Sequence, residues 1–144
     1  MGSSFTSFHE HGFWTRDASI ELWLHLLATE VRRLDDVPAW LREAADDWTT
    51  QSTVGMTGCV SAGLDDYASS PDRVVVLLSL SESALASLRS RGAVLSMAWL
   101  NSLGLGGPGS YFTADVPADI FLQTGESFLK LLRGGGKGVG GGRW

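Results

Sequence analysis

The apolar positions of residues 18–34 recur with helical spacing. Ile20, Trp23, Leu24, Leu27, Val31 and Leu34 share one stripe, which predicts an amphipathic helix. Leu22 and Leu26 lie on its far side and leave a narrow polar strip of Glu21, His25, Thr29 and Arg32. A helix with so little polar circumference belongs at the centre of a fold. Thr15 or Asp17 supplies an N-cap for its first amides, and Arg32 and Arg33 suit the negative end of its dipole. Asp35-Asp36-Val37-Pro38 reads as a turn into a second helix, with Pro38 where its missing amide hydrogen costs least. From Ala39 to Gln51, Trp40, Leu41, Ala44, Ala45 and Trp48 form one arc. Arg42, Glu43, Asp46 and Asp47 form the other, an acidic outer face.

Residues 52–70 have no clear period and include Gly55, Gly58 and Gly63, so they read as a long loop closed by Asp65-Asp66-Tyr67. Ser70-Pro71-Asp72 then restarts a helix. Val74 to Leu78 fits a buried strand as well as a buried helix. Continuity into Ala84–Arg89 and the stop at Gly92 favour one long helix, whereas a strand over Val74–Leu80 would make the fold α+β. A short helix near Ser96–Leu103 precedes the glycine-rich turn Gly104–Gly109. The last helix starts near Pro117 and carries Ile120, Phe121, Thr124, Phe128, Leu131 and Leu132 on its inner arc. Gly125 inside that helix costs about 1 kcal/mol relative to alanine unless a neighbour must approach there.

The pattern therefore predicts an all-α fold, a single compact domain of about five helices over residues 17–133. Residues 1–16 form an aromatic N-terminal arm packed on the core through Phe5, Phe8, Phe13 and Trp14. Residues 134–144 form a flexible tail, because glycine-rich chain has high entropy and little to bury.

Charge and composition narrow the functions. The chain has 144 residues, a net charge of -5, 44% hydrophobic and 19% charged residues, which suits one packed domain. Lys137 and Arg143 lie in the tail, so the rest carries -7. A general nucleic-acid binder needs a cationic face and is disfavoured. The single Cys59 excludes a disulfide framework and any multi-cysteine metal site. The chain has no 18-residue apolar run and no basic-then-apolar leader, so the expectation is no membrane span and a cytoplasmic protein.

Candidate chemistry is sparse. His9 and His11, with Glu10 between them, are the most metal-like pair, but alternate residues of an extended arm rarely complete a shell. Glu21 and His25 stand one helical turn apart, where a carboxylate raises an imidazole pKa and could prepare an acid or base; an ordinary i,i+4 pair is the plainer reading. Cys59 in Gly58-Cys59-Val60-Ser61 has no activating base nearby in sequence and reads more simply as a small buried residue. The turn Gly104–Gly109 lacks the lysine and hydroxyl of a phosphate-binding loop. The acids Asp35/Asp36, Glu43/Asp46/Asp47 and Asp65/Asp66 fall on exposed faces. They are either a solubilising surface or, with Tyr67, a patch that meets a basic partner.

Three stretches carry a resemblance: Gly12-Phe13-Trp14 with Ile20-Glu21-Leu22-Trp23-Leu24-His25-Leu26-Leu27, Gly58-Cys59-Val60-Ser61 with Leu64-Asp65-Asp66-Tyr67, and Gly109-Ser110-Tyr111-Phe112-Thr113. Over most of residues 5–133 the chain resembles small bacterial proteins of the immunity-protein type in toxin systems, which share its size, acidity and lack of catalytic motifs. That resemblance carries no site residues over. It implies a non-catalytic protein-binding domain that occludes a basic protein toxin, with no cofactor; the acidic faces themselves nominate Glu43, Asp46, Asp47, Asp65, Asp66 and Tyr67 as the partner surface. Two alternatives remain: a small metal-dependent or cysteine/histidine hydrolase using Glu21, His25 and Cys59, or His9 and His11 for metal; and a structural assembly subunit, whose oligomeric state the sequence leaves open.

Overall fold

Burial, rather than polarity, alternates from residue to residue at the start of the chain. In the computed structural model, which describes residues 2–134, this stretch forms a β-hairpin of β1 (Ser3–Phe8) and β2 (His11–Arg16). Phe5 lies opposite Trp14 and Thr6 opposite Phe13. The faces divide by period two: Ser4, Thr6, Phe8 and Phe13 are buried, whereas Phe5 and Trp14 stack on the outer face at 5.3 Å between ring centroids. The predicted arm is thus a hairpin, and only two of its four aromatic anchors reach the core. Its turn gave no warning, because His9 (φ 52°) and Glu10 (φ 69°) occupy left-handed positions that glycine and asparagine usually fill. The His9 N–H donates to Asp65 Oδ1 at 3.1 Å and the His9 ring rests on Phe8, which holds the turn in place.

Six helices follow among the described residues: α1 (Asp17–Arg32), α2 (Ala39–Thr53), α3 (Leu64–Tyr67), α4 (Pro71–Arg89), α5 (Met97–Ser102) and α6 (Ala118–Gly134). The run Val74–Leu80 is helical, inside α4, started by Ser70 Oγ accepting the Arg73 N–H and by Pro71. The fold is mostly helical, and the strands that modify the all-α expectation lie elsewhere: in the hairpin and in a two-residue pair, β3 (Val94–Leu95) with β4 (Val116–Pro117). The loop expected over residues 52–70 is shorter, interrupted by the single turn of α3. Residues 135–144, most of the expected tail, lie outside the described residues; Gly134 closes α6.

Helix α1 is the central helix, packed against α2, α4 and α6. Leu22, Leu24 and Leu27 are fully buried along with Ile20 and Trp23. Leu34 lies beyond the end of α1 and Ile120 lies off the buried side of α6, so both are exposed against expectation. Neither Thr15 nor Asp17 caps α1. The cap position is Arg16, and the Asp17 carboxylate is engaged elsewhere: Oδ1 accepts from Ser4 Oγ at 2.6 Å and Oδ2 from the Gly58 N–H at 2.9 Å. Ser4 Oγ in turn accepts the Val60 N–H at 3.0 Å, and the Asp17 N–H donates to the Gly2 carbonyl. One acid thereby joins the hairpin, the start of α1 and the loop after α2.

Gly125 marks the closest packing. A Cβ there would lie 2.6 Å from Cζ3 of Trp23 and 2.8 Å from Cδ2 of Leu85, too near for either to remain in place. Gly125→Ala should therefore destabilise the protein by about 1–2 kcal/mol in urea denaturation, because overpacking outweighs the gain in helix propensity. Glu10→Gly should act oppositely, raising stability by about 0.5–1 kcal/mol as it relieves a left-handed non-glycine residue.

Candidate functional site: an acidic rim around Tyr67

Helix α2 places Glu43 and Asp47 one turn apart on its outer side. The chain after it is drawn back onto α2 by Trp48, whose indole Nε1–H donates to the Ala62 carbonyl at 2.9 Å. Gly63 then adopts φ +64°, and a Cβ there would stand 3.0 Å from the Tyr67 ring. Glycine therefore lets the chain reverse and lets Tyr67 fold back over α2. The ring meets Trp48 edge-on at 6.0 Å, and its hydroxyl donates to Asp47 Oδ2 at 3.2 Å. Asp65 and Asp66, in the single turn of α3, complete the rim, with Asp65 also holding the hairpin turn.

The electrostatics follow from this placement. The Tyr67 phenol is pushed up to about 12, first by burial, then by the charge of Asp47 and the hydrogen bond to it, and further by Glu43 and Asp66. At neutral pH it is a neutral donor rather than a nucleophile or base. Glu43, Asp47, Asp65 and Asp66 form no ion pair with a described residue. Asp46 does, with Arg32 of α1 at 3.5 Å. Of the six residues expected at a partner surface, Glu43, Asp47 and Asp66 act on Tyr67, Asp65 lies beside them in α3, and Asp46 turns to α1. The contributions of Trp48 and Gly63 were not foreseen; an indole one residue after Asp47 and a glycine just before the acidic pair are the only sequence signals for them.

The residues considered for catalysis occupy different places. Glu21 is 6% exposed. Its carboxyl is pushed up to about 7, chiefly by burial and secondly by the charge of Asp17 one turn earlier. Its Oε1 faces the glycine-rich turn, 3.6 Å from where a Gly106 Cβ would stand. His25 is half-buried, and burial followed by the charge of Arg32 lowers its pKa, the reverse of what pairing with Glu21 would produce. Cys59 is exposed on the loop before Val60 rather than buried. No hydrogen bond or ion pair among the described residues joins any two of these three. His9 is exposed at the hairpin turn and His11 stands opposite Phe8. Among the described residues, no group of three or more His, Cys, Asp or Glu is placed to hold a metal ion. No described helix is long and apolar enough to cross a membrane.

No known family model, curated protein or solved structure matches the chain.

The raised Glu21 carboxyl has a measurable consequence. Between about 4.5 and 7 the folded state keeps a proton that the unfolded chain has released, so stability falls as pH rises through that window and levels off above it. The loss is on the order of 2 kcal/mol, allowing for the solvent that still reaches the group. Glu21→Gln should remove most of this slope and make the protein more stable than wild type at pH 8, measured by urea denaturation at pH 5 and pH 8.

Proposed function

We propose that this chain is a non-catalytic binding domain that meets a basic protein partner through the acidic rim around Tyr67, acting as an immunity protein against a bacterial toxin. The observation that supports this reading most is the rim itself. Glu43, Asp47 and Asp66 surround one neutral phenol, Asp65 lies beside them, and none of the four has a cation of its own among the described residues. Like charges held this close repel one another, and a cationic surface brought against them relieves that repulsion while steering the encounter. Tyr67, half-buried and aromatic, is the kind of side chain that anchors such a contact at its centre. Neutralisation by occlusion requires shape and charge but no chemistry from the inhibitor, so a protonated Tyr67 suffices.

The test is association with the product of the neighbouring upstream gene, with the Glu43→Lys/Asp47→Lys/Asp66→Lys variant as comparison. Binding should weaken at least a hundredfold in the variant, about 2.7 kcal/mol, and fall as salt rises from 0.05 to 0.5 M. Binding that ignores both the reversal and the salt would refute the rim as the contact surface. Absence of association would refute the partner.

A further inference from the structure

A groove of about 390 Å³ runs between the hairpin and α6, and its lining is unusual for a strand. Four consecutive residues of β2 line it: Phe13, Trp14, Thr15 and Arg16. Successive strand residues point to opposite faces, so a cavity touching all four lies along the edge of the strand, where the backbone is, and not over one face. Among the described residues the sheet has two strands, so β2 has no strand neighbour on that side.

The hydrogen-bond pattern of the hairpin fixes which backbone groups face the groove. Two residues, His9 and Glu10, separate the paired Phe8 and His11, and the Asp17 N–H still donates to the Gly2 carbonyl at the other end. Bonded pairs alternate along an antiparallel ladder, so Phe13 and Thr15 bond to β1 while the N–H groups of Trp14 and Arg16, both in the groove lining, point outward. Across the groove, α6 presents Ile120, Gln123 and Ser127, and the Thr15 and Thr124 hydroxyls meet at 2.8 Å to hold strand and helix together. Trp14, 69% exposed, and Ile120, 45% exposed, supply apolar walls. Arg16 is the only charged residue of the lining and forms no ion pair with a described residue.

We propose that this groove binds an extended peptide segment of a partner protein, which adds as a third strand to the free edge of β2 and presents a carboxylate to Arg16. An unpaired strand edge takes another strand through its main-chain groups, with flanking pockets selecting side chains. Four strand residues span about 13 Å, so the segment engaged is short. The carboxylate follows from charge complementarity: among the described residues one guanidinium without an ion pair, and no acid, faces the groove, on a chain of net charge -5. The groove shares no residue with the Tyr67 rim, and the proposal stands independently of the function assigned to that rim.

The test is selection of a displayed random octapeptide library with free C-termini on the full chain. Enriched peptides should carry an acidic residue or use their terminal carboxylate, and lose at least tenfold in affinity for Arg16→Gln. Trp14→Pro should abolish binding, because proline removes an outward N–H without breaking a bond to β1, whereas Trp14→Ala should retain part of it. Circular dichroism checks that the proline variant is folded. The wild-type protein gives a second readout that no folding defect can confuse: the Trp14 and Arg16 amides should gain hydrogen-exchange protection when an enriched peptide binds. Reversing Glu43, Asp47 and Asp66 should leave peptide affinity unchanged. The proposal is overturned if the library shows no enrichment, if enriched peptides bind folded Trp14→Pro as well as wild type, or if those two amides gain no protection.

Discussion

The carboxylate of Asp17 is the constraint on which the rest of the arrangement depends. It accepts from Ser4 Oγ and from the Gly58 N–H, while its own N–H closes the open end of the hairpin on Gly2. Hydrogen bonds to a charged acceptor are about twice as strong as neutral ones, and a carboxylate in the first turn of α1 also suits the helix dipole. This single residue sets where the helix begins, how the hairpin lies on it, and where the chain passes after α2. The passage matters because Val60, Ala62 and Gly63 lie just downstream and lead into Tyr67. The same charge reaches Glu21 one turn on and adds to the burial that keeps its proton.

The helices were legible because amphipathic spacing is local. Helices α1, α2, α4 and α6 each bury a stripe, and serine caps with a following helical run mark α4 and α5. The hairpin was illegible for an equally local reason: its turn carries His9 and Glu10, with no asparagine or glycine to announce it. The conformation is held from outside, by Asp65 some fifty residues away, and nothing near the turn records that contact. The acids of the rim could be named as exposed, but not gathered. Their convergence depends on Gly63 and on the Trp48 indole meeting the Ala62 carbonyl, a contact between a helix and a loop that spacing does not encode. Glu21 and His25 show the converse. Helical spacing set them one turn apart, yet Glu21 faces the glycine-rich turn and the pKa of His25 responds to burial and Arg32 instead.

Negative charge is handled in two opposite ways in one small molecule. At Glu21 burial dominates, and the group resolves the conflict by holding a proton near neutrality. At the rim the acids remain near water, and the proton that resists release belongs to Tyr67. Solvent screening makes carboxylates tolerable together at the surface, whereas the same group in the core is tolerable mainly when neutral. The rim leaves its charge at the surface, whereas Glu21 withdraws it.

The two ends of the hairpin connect these features. Its closed end is held by Asp65, next to Asp66 of the rim, and its open end is held by Asp17, beside the strand edge that lines the groove. A partner drawing on Asp65 need not release the turn. A carboxylate has two oxygens and about four lone-pair sites; Oδ1 accepts the His9 N–H, and Oδ2 remains for an approaching cation. The strained pair His9 and Glu10, which costs on the order of 1 kcal/mol per residue or more, is therefore compatible with a rim engaged in binding.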